Sequence, residues 1–204
     1  MPRAHRDLPD EDLMLAYARG DAAAFDVLYL RHEAALYRFV RRLLGAALAA
    51  QADEVFQEAW LRIVAARAGF RPQGAAWRTW AFTIAHNLAM DRLRVSGREV
   101  AVDPDENGSE TFDWLVVQAD LLAPSSEDRA FWRAAGAQLL HCLDALPALQ
   151  RAAFLLHHED GASVEELAER LSLPFETAKS RLRYALKKLR ACMGAYLEPL
   201  EPAR

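Results

Sequence analysis

SVEELAERLSLPFETAKSRLRYALKKLR, residues 163–190, decides how this chain reads. Ser163 with Glu166 three residues on has the form of a capping box, each side chain satisfying a backbone N–H at a helix start. Leu173-Pro174 breaks the pattern, because the residue before a proline is pushed out of helical backbone. A second helix follows, and from Glu176 to Arg190 it holds six Lys or Arg against a single acid. A basic helix after a tight turn suits the DNA major groove, since phosphates demand cations and base edges demand long polar side chains. The candidate DNA contacts on it are Glu176, Thr177, Lys179, Ser180, Arg181, Arg183, Tyr184 and Lys187. Cations toward the helix C-terminus also complement its dipole, so part of this charge is structural.

The rest of the chain reads as helix as well. Of 204 residues 52% are hydrophobic, with only nine Gly and nine Pro, enough apolar surface for real cores. Asp10 is expected to cap a helix through Arg19, and Asp21 a longer one to Leu44 that Gly45 ends. Apolar spacings of three and four predict further helices over about 49–66 and 75–95, separated by the Gly- and Pro-bearing stretch GFRPQG at 69–74. Ser126 is a candidate N-cap for a helix to Leu146, and Pro147 opens another that runs to His158. No strand of useful length is expected. Residues 99–128 carry nine Asp or Glu and no Lys or Arg, so a net charge of −4 hides more basic flanks. This acidic stretch reads as a tether, with TFDWLVVQADLLA (111–123) as a short docking helix or a segment that lies against a partner. The fold class is therefore all-α, two helical domains over 8–98 and 126–196 joined by a linker over 99–125.

Catalysis finds no foothold. There is no Gly-rich phosphate loop, GxSxG elbow or HExxH. His157 and His158 are adjacent, so on a helix they point about 100° apart and cannot chelate one ion together. Glu165 and Glu166 complement a helix N-terminus. No catalytic residue, metal, cofactor or small-molecule substrate is expected. Cys142 and Cys192 form no CxxC and lie near no histidine cluster; each is expected to be a small apolar filler, and a reducing cytosol suits them. The N-terminal MPRAHRDLPDEDL has no apolar signal core and no stretch is apolar enough to span a bilayer. A cytoplasmic protein without membrane insertion is the expectation.

Two further clusters stand out. Trp77, Trp80 and Phe82 interleave with Arg71, Arg78, Arg92 and Arg94, and Thr83, His86 and Asn87 lie on the same helix. Rings among guanidiniums can stack unpaired bases while phosphates are held; the tryptophans equally suit a core. In ADEVFQEAWLRI (52–63), Glu54, Gln57, Glu58 and Leu61 share one helix face beside Trp60. That face suits solvent or a partner helix.

Together, GDAAAFDVLYLRH (20–32), ADEVFQEAWLRI (52–63), AWRTWAFTIAHNLAMDRLR (76–94) and residues 146–189 resemble, in order, a bacterial RNA polymerase sigma factor of the extracytoplasmic-function (ECF) group. The resemblance implies a transcription initiation factor that binds core RNA polymerase, through its clamp helices and flap, and directs it to promoters. Glu54, Gln57, Glu58, Trp60 and Leu61 would then face polymerase. Arg71, Trp77, Arg78, Trp80, Thr83, His86, Asn87, Arg92 and Arg94 would engage the minus-ten element. Residues 174–188 would sit in the major groove at minus thirty-five, and 99–125 would follow the linker path through the enzyme. An anti-sigma partner and a role in stress responses are implied in the same way. The chain departs from the family's usual residues at Glu54, where Asp is common, at Glu176-Thr177-Ala178, where Gly-Thr-Val is frequent, and at His86, where Arg is frequent. The residues alone leave open a stand-alone helix-turn-helix regulator, or a helical interaction protein that never touches DNA.

Overall fold

The computed structural model describes residues 5–72, 76–97 and 126–197, and among them every regular element is helical. The acidic stretch 99–125, including the docking helix expected at 111–123, lies outside the described residues, as do residues 73–75 of the GFRPQG loop. Among the described residues eight α-helices follow in order: α1 (Asp10–Ala18), α2 (Ala22–Leu44), α3 (Ala52–Ala65), α4 (Trp77–Val95), α5 (Ser126–Asp144), α6 (Ala148–Asp160), α7 (Val164–Arg170) and α8 (Phe175–Leu197). A short 3₁₀ segment, Ala46–Gln51, leads into α3.

In the N-terminal group, α2 is the spine. Asp21 caps it by accepting from the Ala23 N–H at 3.1 Å, and Gly45 closes it at φ 70°, a left-handed conformation that glycine adopts without steric cost. Its inward face, Leu28, Leu36, Phe39, Val40 and Leu43, meets Val55, Ala59 and Ile63 of α3 and Trp77, Ala81 and Phe82 of α4 in one buried core. The expected cap at Asp10 is not formed: α1 begins at Asp10 behind Pro9. Its carboxylate instead bonds His32 Nε2 at 2.7 Å and pairs with Arg31. Burial pushes the Asp10 carboxyl up, but the hydrogen bond and charge of His32, with those of Arg31, hold it below the usual range.

The C-terminal group, α5–α8, closes around Leu143, Leu155, Leu156, Leu167, Ala178, Leu182, Ala185 and Leu189. The capping box forms as expected: Ser163 Oγ accepts from the Glu166 N–H at 3.2 Å, and Glu166 Oε2 accepts from the Ser163 N–H at 2.8 Å. Between α7 and α8, Ser172 takes φ 52° so that the Leu173 N–H can reach the Ala168 carbonyl at 2.8 Å. The cysteines depart from expectation. Cys142 on α5 and Cys192 on α8 are joined as a disulfide across a sequence separation of 50. Both face the α5–α8 contact, so packing the two helices brings the sulfurs together; spacing along the chain carried no hint of it.

The two groups pack on one another, with α6 lying against α2 and α4. Gly45 makes this possible, because a Cβ there would stand 2.7 Å from Arg151 Nη1 and 2.9 Å from Asp144 Oδ1. The Ala46 N–H donates to the same Asp144 oxygen at 3.1 Å.

Candidate functional site

Three surfaces carry the residues singled out from the sequence. The first is α3. Its inward residues are Val55, Ala59, Trp60 and Ile63, so 3.6-residue periodicity throws Glu54, Gln57 and Leu61 outward, with Glu58 half-buried. Leu61 is 65% exposed, a large apolar side chain in the middle of a polar face. Glu58 pairs with Arg62 at 2.9 Å along the helix, and Glu54 pairs across to Arg92 of α4. Trp60 does not share this face. It is 6% exposed and packs edge-on against Phe25 at 5.7 Å and near Trp77 at 6.2 Å. Trp60 supports the helix from behind.

The second surface is α4 with the loop before it. Trp77 is fully buried, stacked near His32 at 4.5 Å, and its backbone N–H donates to Glu11 Oε1 of α1 at 2.9 Å. Glu11 therefore does the capping that Ala76 cannot. The core option left open for the tryptophans is the one Trp77 takes. Trp80 is half-buried and leans on Phe70 at 5.3 Å, with one side toward solvent. Thr83 Oγ1 donates back to the Thr79 carbonyl, Asn87 is exposed, and Arg94 pairs with Asp91. Trp80, Thr83, Asn87 and Arg94 thus form one outward stripe. Arg71 is exposed nearby, its guanidinium donating to the Ala68 and Phe70 carbonyls.

Arg78 and His86 point the other way. Arg78 Nη2 donates to the Glu159 backbone carbonyl at 2.6 Å, and its Nε lies 3.1 Å from Asp160 Oδ1, an ionic contact more than a directed hydrogen bond. The guanidinium also covers the Phe82 ring at 4.5 Å. His86 is buried, bonded to Asn87 Oδ1 at 3.1 Å; burial drives its pKa down, and nearby Arg170 adds to the effect. Enclosed in this way, the imidazole makes no phosphate contact in this arrangement, so the structure does not bring His86 to the surface expected to meet the minus-ten element.

The third surface is α8. Ala178, Leu182, Ala185 and Leu189 point inward, which leaves Glu176, Lys179 and Lys187 exposed and Thr177, Ser180, Arg181, Arg183 and Tyr184 half-buried around them. Lys179 stands 3.9 Å from Glu176 and 5.9 Å from the Phe175 ring centre; Arg183 lies over the Tyr184 ring at 5.2 Å. Burial lowers the pKa of Arg181. From Lys179 to Arg190 the helix thus offers a cationic ridge that begins just after the turn before it.

Residues 28–99 match the family model of Sigma-70 region 2, and residues 136–189 that of Sigma-70, region 4. The ECF RNA polymerase sigma factor SigK of Mycolicibacterium vanbaalenii is 31% identical over 191 residues, covering 89% of this chain and 88% of its own. The chain belongs to the ECF RNA polymerase sigma factors. SigK of Mycobacterium tuberculosis is 30% identical over 201 residues, 94% of this chain and 96% of that protein. Among solved structures, CnrH in complex with the cytosolic domain of CnrY aligns over 91% of this chain and 97% of its own, at a TM-score of 0.61 and 24% identity. The sigma factor RpoE from Bartonella quintana, in complex with the anti-sigma factor NepR, aligns over 83% of this chain and 96% of its own, at 0.58 and 23%.

As a sigma factor the chain directs core RNA polymerase to promoters, and the stand-alone regulator is not favoured, since a region 2 match accompanies the helix-turn-helix. Among the described residues no group of His, Cys, Asp and Glu could hold a metal ion, and no helix is long and apolar enough to cross a membrane. Sequence reasoning missed Glu11, Arg42, Asp144, Arg151, Glu159, Asp160 and Arg170. All are ordinary charged residues whose partners lie on other helices, so no local spacing could have found them.

Proposed function

We propose that residues 8–98 hold the polymerase and the minus-ten strand, that 99–125 serve as the linker and that 126–196 anchor minus-thirty-five duplex. The observation that carries this reading is the outward face of α3, where Leu61 stands exposed between Gln57 and Glu58 with no core left for it to join. An apolar residue ringed by polar ones is the pattern of a partner-facing surface. Trp80, Thr83, Asn87, Arg71 and Arg94 supply a ring, hydrogen-bonding groups and cations for an unpaired strand. On α8, Lys179, Arg183 and Lys187 take phosphates, and Glu176 is placed to accept from a cytosine amine.

The protein performs no chemistry of its own in this reading and works in the cytoplasm. Unstacking a base costs a few kcal/mol, and stacking on an aromatic returns about 1–3. Promoter opening is therefore near balance and polymerase supplies the surplus, so the isolated protein binds DNA feebly. Like RpoE with NepR, this chain would be held by an anti-sigma partner, and released under stress. Co-purification with core polymerase tests the α3 face: Gln57→Lys or Glu58→Lys abolishes capture. Capture by both variants at the wild-type level would refute it.

A further inference from the structure

The turn before α8 ends in an exposed aromatic ring. Pro174, Phe175 and Glu176 all face solvent, and Phe175 is 41% exposed, a large apolar side chain that the core beneath it, Ala178, Leu182 and Ala185, does not enclose. The Pro174 carbonyl accepts from the Thr177 and Ala178 N–H groups at 3.0 and 3.1 Å, which fixes the first turn of the helix and the backbone that carries Phe175. One turn on, Lys179 Nζ stands 5.9 Å from the ring centre, close enough for the ammonium to steady the ring at the helix flank. An exposed ring is unfavourable in water and takes no phosphate, so it adds nothing to a cationic helix as a DNA-backbone contact. The N-terminal residues of a recognition helix are the ones that meet base edges. In the major groove, the apolar group on those edges is the 5-methyl of thymine.

We propose that Phe175 is a specificity-determining residue, which selects a thymine of the minus-thirty-five element by closing its ring over the 5-methyl group. The proposal rests on the reading of α8 as the helix that lies in the major groove there. Phe175 and Glu176 then divide the work at the helix start, one taking an apolar base edge and the other an amine. Lys179 flanks the ring with its stem and carries its charge toward a neighbouring phosphate. Burying one methyl group is worth about fourfold in affinity.

The test uses holoenzyme, core RNA polymerase loaded with the full chain, on a duplex promoter recovered by run-off transcription, with binding read by competition in fluorescence anisotropy. Each thymine of the upstream element, on either strand, is replaced in turn by deoxyuridine, which deletes the methyl and keeps the base pair. Wild type is expected to lose about fourfold at one thymine. Phe175→Ala should bind the two duplexes alike, and Phe175→Leu, still apolar, should keep part of the difference. Each ratio is taken within one protein, so a variant that folds less well does not imitate the result. A deoxyuridine series without effect, a loss of the same size in Phe175→Ala, or an upstream element with no thymine overturns the proposal. Arg183→Ala/Lys187→Ala separates it from the reading beneath it, since that variant weakens binding to every duplex if α8 lies in the groove. Weakening with a flat deoxyuridine series removes the role of Phe175 alone; no weakening removes the groove reading with it.

Discussion

Replacing Asp160 with asparagine removes one negative charge from the most enclosed ionic site in the described structure. The Asp160 side chain is 0% exposed and Arg170, paired to its other oxygen, is 6% exposed. Asparagine has the same size and keeps one acceptor oxygen, so shape is unchanged and the loss is electrostatic. Arg170 cannot reach water without unpacking the α6–α7 corner, and a buried charge stripped of its partner costs about 3–5 kcal/mol. Arg78 is a third exposed, can turn to solvent, and adds little. With a urea slope of about 2 kcal/mol/M, the midpoint for α6–α8 should fall by about 2 M. Urea titration followed by circular dichroism gives the midpoint, and hydrogen exchange of α6–α8 amides locates the loss. The double variant Asp160→Asn/Arg170→Met should recover most of it, because no unpaired buried charge remains. A midpoint within about 0.5 M of wild type for Asp160→Asn would refute this account of the corner.

Three further outcomes are expected. Reducing the Cys142–Cys192 disulfide frees a 50-residue separation, worth about 4 kcal/mol of chain entropy, so dithiothreitol should lower the calorimetric melting temperature while Cys142→Ser/Cys192→Ser melts low and ignores reductant. Burial first, and then the neighbouring His157, pull the His158 pKa down to about 4 from 6.5, so the unfolded chain takes up a proton before the folded one does. That contribution is intact above pH 6.5 and is lost progressively as pH falls to 4, roughly 3 kcal/mol in all; a His158→Phe variant followed by thermal melts should flatten that pH dependence. Gly45→Ala combines a left-handed backbone with a clash against the buried Arg151, so it should lower the melting temperature and widen the scattering envelope; an unchanged melt and envelope would count against the close approach at Gly45.

Much of this architecture was legible in the sequence because it is local. The Ser163–Glu166 box, the Asp21 cap and the Gly45 stop each depend on residues within a turn of one another, and all three formed. Apolar periodicity likewise separated the inward Val55, Ala59 and Ile63 from the outward Gln57 and Leu61. What failed was long-range. Asp10 could have capped α1, but His32 and Arg31 lie more than twenty residues away and claimed its carboxylate. Nothing in the neighbourhood of Trp77 distinguishes it from Trp80, yet helix geometry sends one ring into the core and leaves the other at the rim. Arg78 looked like a free cation because Glu159 and Asp160 stand on another helix. The cysteines were misread for the same reason, since only the packing of α5 on α8 brings them together.

Run-off transcription with purified core RNA polymerase on a genomic promoter library tests the central claim most directly. The account predicts that adding the full chain directs initiation to a discrete set of start sites sharing two upstream elements. It further predicts that Lys179→Ala/Arg183→Ala weakens selection of the more distant element while leaving polymerase capture intact. Transcripts no different from those of core polymerase alone, or a start-site set unchanged by that double variant, would contradict it.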